Sequence, residues 1–288
     1  LATTVVSQAN IADAPIMGMA APFFTTEGAE FKGTVAFFTD MNPNGVASDF
    51  TALINWGDGT QSTGTVLPSG GGFIVQATDP VSGVGKTYKN PGSFSYWARV
   101  TDEGGATFTS YSTATVFDAP LTATGVTATA PEYQVTNSIV TGLPIVTSFN
   151  GVIASFNDAA FTPTNPLTLP LPPGFLAANY FASINWGDGT VTPGSLRLNA
   201  QGSAFEVIAS HLYDEGTYHV TVTINDLDGT STVNAVSTLT ITDNPLNPLP
   251  VQTQVPLNQT EGLPFTVQVV TFTDSNALAP ADDFSATI

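Results

Sequence analysis

The heptapeptide INWGDGT occurs twice, at residues 54–60 and 184–190, and no other feature constrains the fold of this chain so tightly. Seven identical residues in a row mark a duplicated unit. The surrounding landmarks keep their order: a Phe-x-Asp upstream (residues 38–40 and 156–158), a tyrosine downstream (Tyr88, Tyr213), an Asp-x-x-Gly turn, and an exit aspartate (Asp118, Asp243). Tyrosine and exit aspartate are 30 residues apart in both copies. The second copy is longer upstream, and the extra residues fall in the Pro-rich stretch 161–175, expected to be a long surface loop.

The chain ends belong to the same pattern. Residues 7–16 (SQANIADAPI) align with 112–121 (STATVFDAPL), the close of a unit, while Thr260-Glu261-Gly262 repeats Thr26-Glu27-Gly28 and Phe272-Thr273-Asp274 repeats Phe38-Thr39-Asp40. Four segments follow as the expected organisation: 1–13, the last strand of a preceding repeat; 14–118, one repeat; 119–243, a second repeat with the insertion 161–175; and 244–288, the first strands of a further, truncated repeat. The chain thus reads as part of a longer array.

Within a repeat the apolar pattern has period two. In residues 50–56 (FTALINW), Ile54 and Trp56 point to one face and Asn55 to the other, which puts Trp56 and Trp186 in a core. Gly57-Asp58-Gly59 and Gly187-Asp188-Gly189 then stop the strand, because glycine tolerates positive φ and a turn aspartate bonds its own backbone. Residues 218–224 alternate cleanly and end in Asn-Asp-Leu-Asp-Gly, a hairpin signal whose expected partner is 231–242. With 26 Gly and 21 Pro breaking runs of Val, Ile, Phe and Thr, short strands are expected throughout and no amphipathic helix. Residues 214–220 (DEGTYHV) have the arrangement of a tyrosine corner at Tyr218, where the first repeat carries Phe94 and keeps only the ring. The expected fold class is all-β, a beaded array of immunoglobulin-like β-sandwiches.

At NWGDGT, with His211-Leu212-Tyr213, residues 215–222 and Asp226-Leu227-Asp228-Gly229, the chain resembles the polycystic kidney disease (PKD) domain family, most closely the long PKD-like repeats of giant bacterial surface proteins. The resemblance implies an immunoglobulin-like sandwich, an extracellular or cell-surface location, tandem arrays, and adhesive or scaffolding roles without catalytic residues. Asn55 and Asn185 before the tryptophans, and Lys86 where the family often has histidine, depart from the family pattern.

Five basic residues against 23 acidic ones give a net charge of -18, which disfavours nucleic acid and anionic membrane surfaces. No stretch approaches the roughly 20 apolar residues of a membrane span. Absence of cysteine excludes disulfides and thiolate chemistry. The two histidines, His211 and His219, read as strand residues, and Lys86 replaces His211 in the first repeat, so no shared general base exists. Asp102-Glu103 and Asp282-Asp283 are sequence neighbours that point to opposite faces of a strand, and no Gly-x-Ser-x-Gly elbow is present. Catalysis is therefore not expected.

No cofactor is expected, with calcium the one candidate. Its ligands would be Glu27, Asp40, Asp118, Asp158 and Asp243, hard oxygen donors meeting at domain junctions. Asn258 heads a short glycosylation sequon. Expected partners are neighbouring repeats, lateral copies in a fibre or sheath, and surface glycans. The reading is a structural or adhesive stalk, spacer or fibre element. Its rival is an accessory spacer or carbohydrate-binding region of a secreted hydrolase, for which Trp97 and Tyr96 are the obvious aromatic pair, only one of them facing outward.

Overall fold

The computed structural model describes residues 12–132, 134–137, 144–161, 174–249, 260–264, 270–274, 276, 279 and 281–287. The expected leading strand within 1–13 lies almost wholly outside them, as do most of the 161–175 insertion and residues Asn258 and Gln259 of the sequon. Two units divide the chain. The first holds described residues 12–120 with 158–161 and Asp228–Ser231; the second holds the remainder.

The first unit contains β1 (Ile16–Ala20), β2 (Phe23–Thr26), β3 (Glu30–Phe31), β4 (Thr34–Asp40), β5 (Phe50–Asn55), β6 (Gln61–Ser69), β7 (Gly72–Gln76), β8 (Lys86–Thr87), β9 (Gly92–Asp102) and β10 (Thr107–Phe117). The main ladder runs β1-β4-β7-β6-β5-β9-β10-β2. It folds over on itself at β6, whose first half pairs with β5 and second half with β7. Gly64 sits at that corner because any Cβ there would lie 2.7 Å from Val75 Cγ1 in the opposite layer. At the other margin Pro22, lacking an N–H, interrupts the first strand, so that β1 pairs antiparallel with β4 and β2 parallel with β10. The Tyr96 hydroxyl bridges this crossing, shared between the carbonyls of Ala21 and Val35 (2.7 Å to the latter). The result is an immunoglobulin-like sandwich of two antiparallel layers with one parallel edge pair.

The second unit repeats the plan with β11 (Leu121–Gly125), β12 (Thr127–Pro131), β15 (Phe149–Asp158), β16 (Tyr180–Asn185), β17 (Val191–Leu198), β18 (Phe205–His211), β19 (Gly216–Asp226) and β20 (Thr232–Thr242), in the order β11-β15-β18-β17-β16-β19-β20-β12. The hairpin β19–β20 pairs antiparallel from Gly216↔Ile241 to Asn225↔Thr232. Between these elements lie the small ladder β13 (Gln134–Asn137) with β14 (Pro144–Thr147) and one helical turn, α1 (Phe175–Asn179). That turn starts at Gly174 (φ 80) and ends just before β16. In 244–288 the described pairing is β21 (Asn247–Pro248) with β22 (Phe272–Thr273).

Each core centres on its repeated tryptophan. Trp56 and Trp186 are 1% and 0% exposed, flanked by Ile54 and Ile184 at 0%. Around Trp56 gather Phe23, Tyr88 and Tyr96, with edge contacts from Phe23 and Tyr88 at ring separations of 6.3 and 6.5 Å. Burying rings of this size contributes roughly 1.5–3 kcal/mol apiece, which is how a chain without disulfides holds these layers.

Candidate functional site

Two features recur in both sandwiches. One is the turn that carries Asp58 or Asp188. The strand ends when the N–H of Gly57 bonds the Asn55 side chain (3.1 Å), and that of Gly187 the Asn185 side chain (3.1 Å). Asp58 Oδ1 then accepts the N–H of Thr60 at 3.0 Å, and Asp188 Oδ1 that of Thr190 at 2.9 Å, the local turn bond read from the sequence. Gly57 has φ 79 and lies so close to β9 that a Cβ would stand 2.4 Å from the Ser95 carbonyl oxygen. The second carboxylate oxygen has a role that the sequence did not disclose. Asp58 pairs with the Lys86 ammonium, which also reaches Thr60 Oγ1 at 2.7 Å, and Asp188 lies 2.6 Å from His211 Nε2. Lys86 and His211 thus occupy equivalent places, the ammonium 4.6 Å from the Tyr88 ring centroid and the imidazole stacked on Trp186. Burial raises both carboxyls, but the hydrogen bonds from Lys86 and Thr60, and from His211 and Thr190, outweigh it: Asp58 is lowered and Asp188 is held at about 2.

The tyrosines close this unit. Tyr88 donates to the Trp56 carbonyl (3.0 Å) and Tyr213 to the Trp186 carbonyl (2.8 Å), so the motif tryptophan is tied through both its ring and its backbone. Tyr218 donates back to the Asp214 carbonyl at 3.2 Å and tilts over Tyr213, with ring centroids 4.1 Å apart. Phe94 replaces it in the first unit as a ring stacked on Tyr88 at 4.7 Å.

The second feature is a buried glutamate at the exit of each sandwich. Glu27, 3% exposed, accepts the Ala119 N–H at 2.9 Å; Glu132, 2% exposed, accepts the Asn244 N–H at 2.9 Å. Burial, then the neighbouring Asp118 and Asp228, push Glu27 up to about 7 against the hydrogen bond from Ala119. Asp118 is itself lowered, burial being outweighed by N–H bonds from Thr230 and Ser231 and by its bond to Glu27.

Of the five calcium candidates, Glu27 and Asp118 meet directly, and Asp243 stands with Glu132 and Asp274, one oxygen of each lying within 4.8 Å of the others. Asp40 and Asp158 belong to no such group among the described residues and instead accept the N–H of Asn42 (3.0 Å) and Ala160 (2.7 Å). Glu132 and Asp274 were not singled out in the sequence, although Asp274 ends the repeated Phe-Thr-Asp. The second oxygen of Glu132 accepts the Asn276 amide at 2.7 Å, so this acid is satisfied by protein donors alone.

A cleft of about 510 Å³ in the first unit lies between the loop 40–47 and the hairpin 68–73, walled by Pro43, Val46, Pro68 and Phe73. Asp40 is its only ionisable lining residue. His211 and His219 sit on β18 and β19, as expected of strand residues. Of the aromatic pair, Tyr96 is buried and Trp97 faces outward. No helix among the described residues is long and apolar enough to cross a membrane.

Fold and motifs together define a protein of tandem immunoglobulin-like β-sandwiches. No protein-family model and no curated protein matches the chain in sequence. Solved structures similar to it include the protocadherin GammaB4 extracellular domain (18% identity over 91% of this chain and 40% of that one, TM-score 0.30), human CDH23 EC21-23 (16%, 92% and 80%, 0.33) and titin A168169 (9%, 79% and 99%, 0.36). The chain spans less than half of that protocadherin ectodomain. Likeness at this level says nothing about what the chain binds.

Proposed function

We propose that this chain is a segment of a PKD-like array on the outside of a bacterial cell, in which each sandwich acts as a stalk, spacer or fibre-forming element. The repeats run over 14–118 and 119–243, and their motif residues serve the fold rather than a reaction. One observation carries this reading. The tie from Tyr88 to the Trp56 carbonyl recurs from Tyr213 to the Trp186 carbonyl, so the internal framework is kept while Lys86 gives way to His211 around it. A unit repeated for its shape and stability keeps such ties, and the aspartates that recur beside them, Asp58 and Asp188, bond the backbone of their own turns. The Asp-Ala-Pro and Asp-Asn-Pro joints after Phe117 and Thr242 suit the same role, because proline restricts the backbone where one unit ends.

The test is mechanical. Stretched between polyprotein handles in an atomic force microscope, the chain should give two separate unfolding events releasing roughly 37 and 44 nm, the contour lengths of about 105 and 125 residues. A single event, or extension without a force peak, would refute a load-bearing array.

A further inference from the structure

The outer face of the β5-β9-β10-β2 layer in the first sandwich carries aromatic residues that its fold does not need. Trp97 on β9 stands directly opposite Tyr111 on β10, which places both side chains on one face with Cβ atoms about 5 Å apart. Tyr111 is 70% exposed. The Arg99 guanidinium lies over the Trp97 indole at 5.2 Å and its Nε reaches Thr109 Oγ1 at 3.3 Å. Further along the same face Phe24 and Phe117, 66% and 54% exposed, stack on each other with ring centroids 6.0 Å apart. Four residues of β10 separate Tyr111 from the level of Phe24, a distance of about 14 Å at strand rise.

The second sandwich supplies the control. Its β19–β20 hairpin has the same register, and there the Trp97–Tyr111 pair is Thr221–Val236. Arg99 is matched by Thr223, Phe117 by Thr242 and Phe24 by Thr129. Equivalent strands thus fold with threonine or valine at these positions, and the aromatic set is particular to the first unit.

We infer that this face is a binding platform for a neutral polysaccharide. The face itself names the ligand class. Between the two aromatic clusters runs a lane of hydroxyls, Ser93, Ser95, Thr113 and Thr115, on the same outward positions. The dry centre of a protein interface is depleted in serine, whereas a sugar polymer offers a hydroxyl to each of these groups and the C–H face of its rings to the aromatics. An extended chain spans both clusters. Charge points the same way: although acids outnumber bases 23 to 5, no carboxylate occupies an outward position of β5, β9, β10 or β2, and Arg99 is the one cation. Arg99 supplies planar donors to ring hydroxyls, and the net charge of -18 turns away acidic polymers.

The platform is independent of the load-bearing role, which force spectroscopy tests separately. The experiment is a pull-down of the whole chain on insoluble cellulose, chitin and xylan, with alginate gel as the acidic comparison. The decisive variant, Trp97→Thr with Tyr111→Val, installs the residues that the second sandwich already carries at these positions, so its fold is preserved; circular dichroism checks this. Retention on at least one neutral polymer, absent on alginate and weakened about tenfold or more in the double variant, is expected from the loss of two stacking rings. Transplanting the pair as Thr221→Trp with Val236→Tyr should strengthen retention. The inference fails if no neutral polymer retains the chain or if the double variant binds undiminished. It also fails if the double variant instead abolishes a concentration-dependent dimer in sedimentation, because the face would then be a contact between copies.

Discussion

The imidazole of His211 lies flat on the indole of Trp186, with ring centroids 4.5 Å apart and planes 7° from parallel, while its Nε2 stands 2.6 Å from Asp188. In the first sandwich the Lys86 ammonium fills that place, 5.9 Å from the Trp56 ring centroid and paired with Asp58. Two chemically different side chains take the same place, over the motif tryptophan and beside the turn aspartate. The substitution is therefore conservative in space although it is not so in sequence, and His211→Lys should cost less than about 1 kcal/mol while His211→Ala, which uncovers the indole and strips the aspartate, costs more. Urea unfolding at neutral pH compares the two.

Asp188 is held at about 2, its burial overcome by the bonds from His211 and Thr190. A carboxyl whose folded pKa lies below the unfolded value of about 3.9 gives stability that is complete above that pH and disappears as pH falls toward 2. Wild-type protein should lose more stability than Asp188→Asn between pH 4.5 and pH 2, measured as urea midpoints. Equal losses would show that the carboxylate gains nothing from its partners.

Glu27 has the opposite sign. Burial first, then Asp118 and Asp228, raise it from 4.5 to about 7, so its contribution is complete below pH 4.5 and is lost as pH rises through 7. Glu27→Gln, which keeps the acceptor for the Ala119 N–H and removes the charge, should match wild type at pH 4.5 and melt a few degrees higher at pH 8. A Tm difference independent of pH would contradict the assignment.

Tyr88→Phe and Tyr213→Phe each remove one hydroxyl from a buried carbonyl, that of Trp56 or Trp186, without changing ring packing. The expected cost is about 1–3 kcal/mol each, read by chemical denaturation, because the orphaned carbonyl has no water to turn to.

The glycines of the repeated turn should separate cleanly. Gly57 and Gly59 both have positive φ, 79 and 87, yet a Cβ at Gly57 would strike the Ser95 carbonyl and one at Gly59 would meet nothing within 4 Å. Gly59→Ala is expected to cost about 1 kcal/mol from backbone strain alone, and Gly57→Ala at least twice that. Thermal melts of the two variants decide it.

Strand periodicity and turn chemistry are local, and so the duplicated INWGDGT already placed Trp56 and Trp186 inside and ended their strands at the glycines, while the alternation of residues 218–224 and the turn signal after it paired that run with the strand that follows. Tyr96 and Trp97 likewise divided between inside and outside, as alternation requires. What lay beyond the sequence joins residues that are distant along it. The partner of Trp97 is Tyr111 across a hairpin rather than Tyr96 beside it, the second oxygen of Asp188 waits 23 residues for His211, and the Trp56 carbonyl waits 32 for Tyr88. Glu132 found Asp243 and Asp274 in the same way, while Asp40 and Asp158 turned to their own loops. Composition and period dictate which face a side chain takes. Which distant side chain it meets there is decided by the register of hydrogen bonds between strands and by the packing of the two layers, and only the folded ladder supplies them.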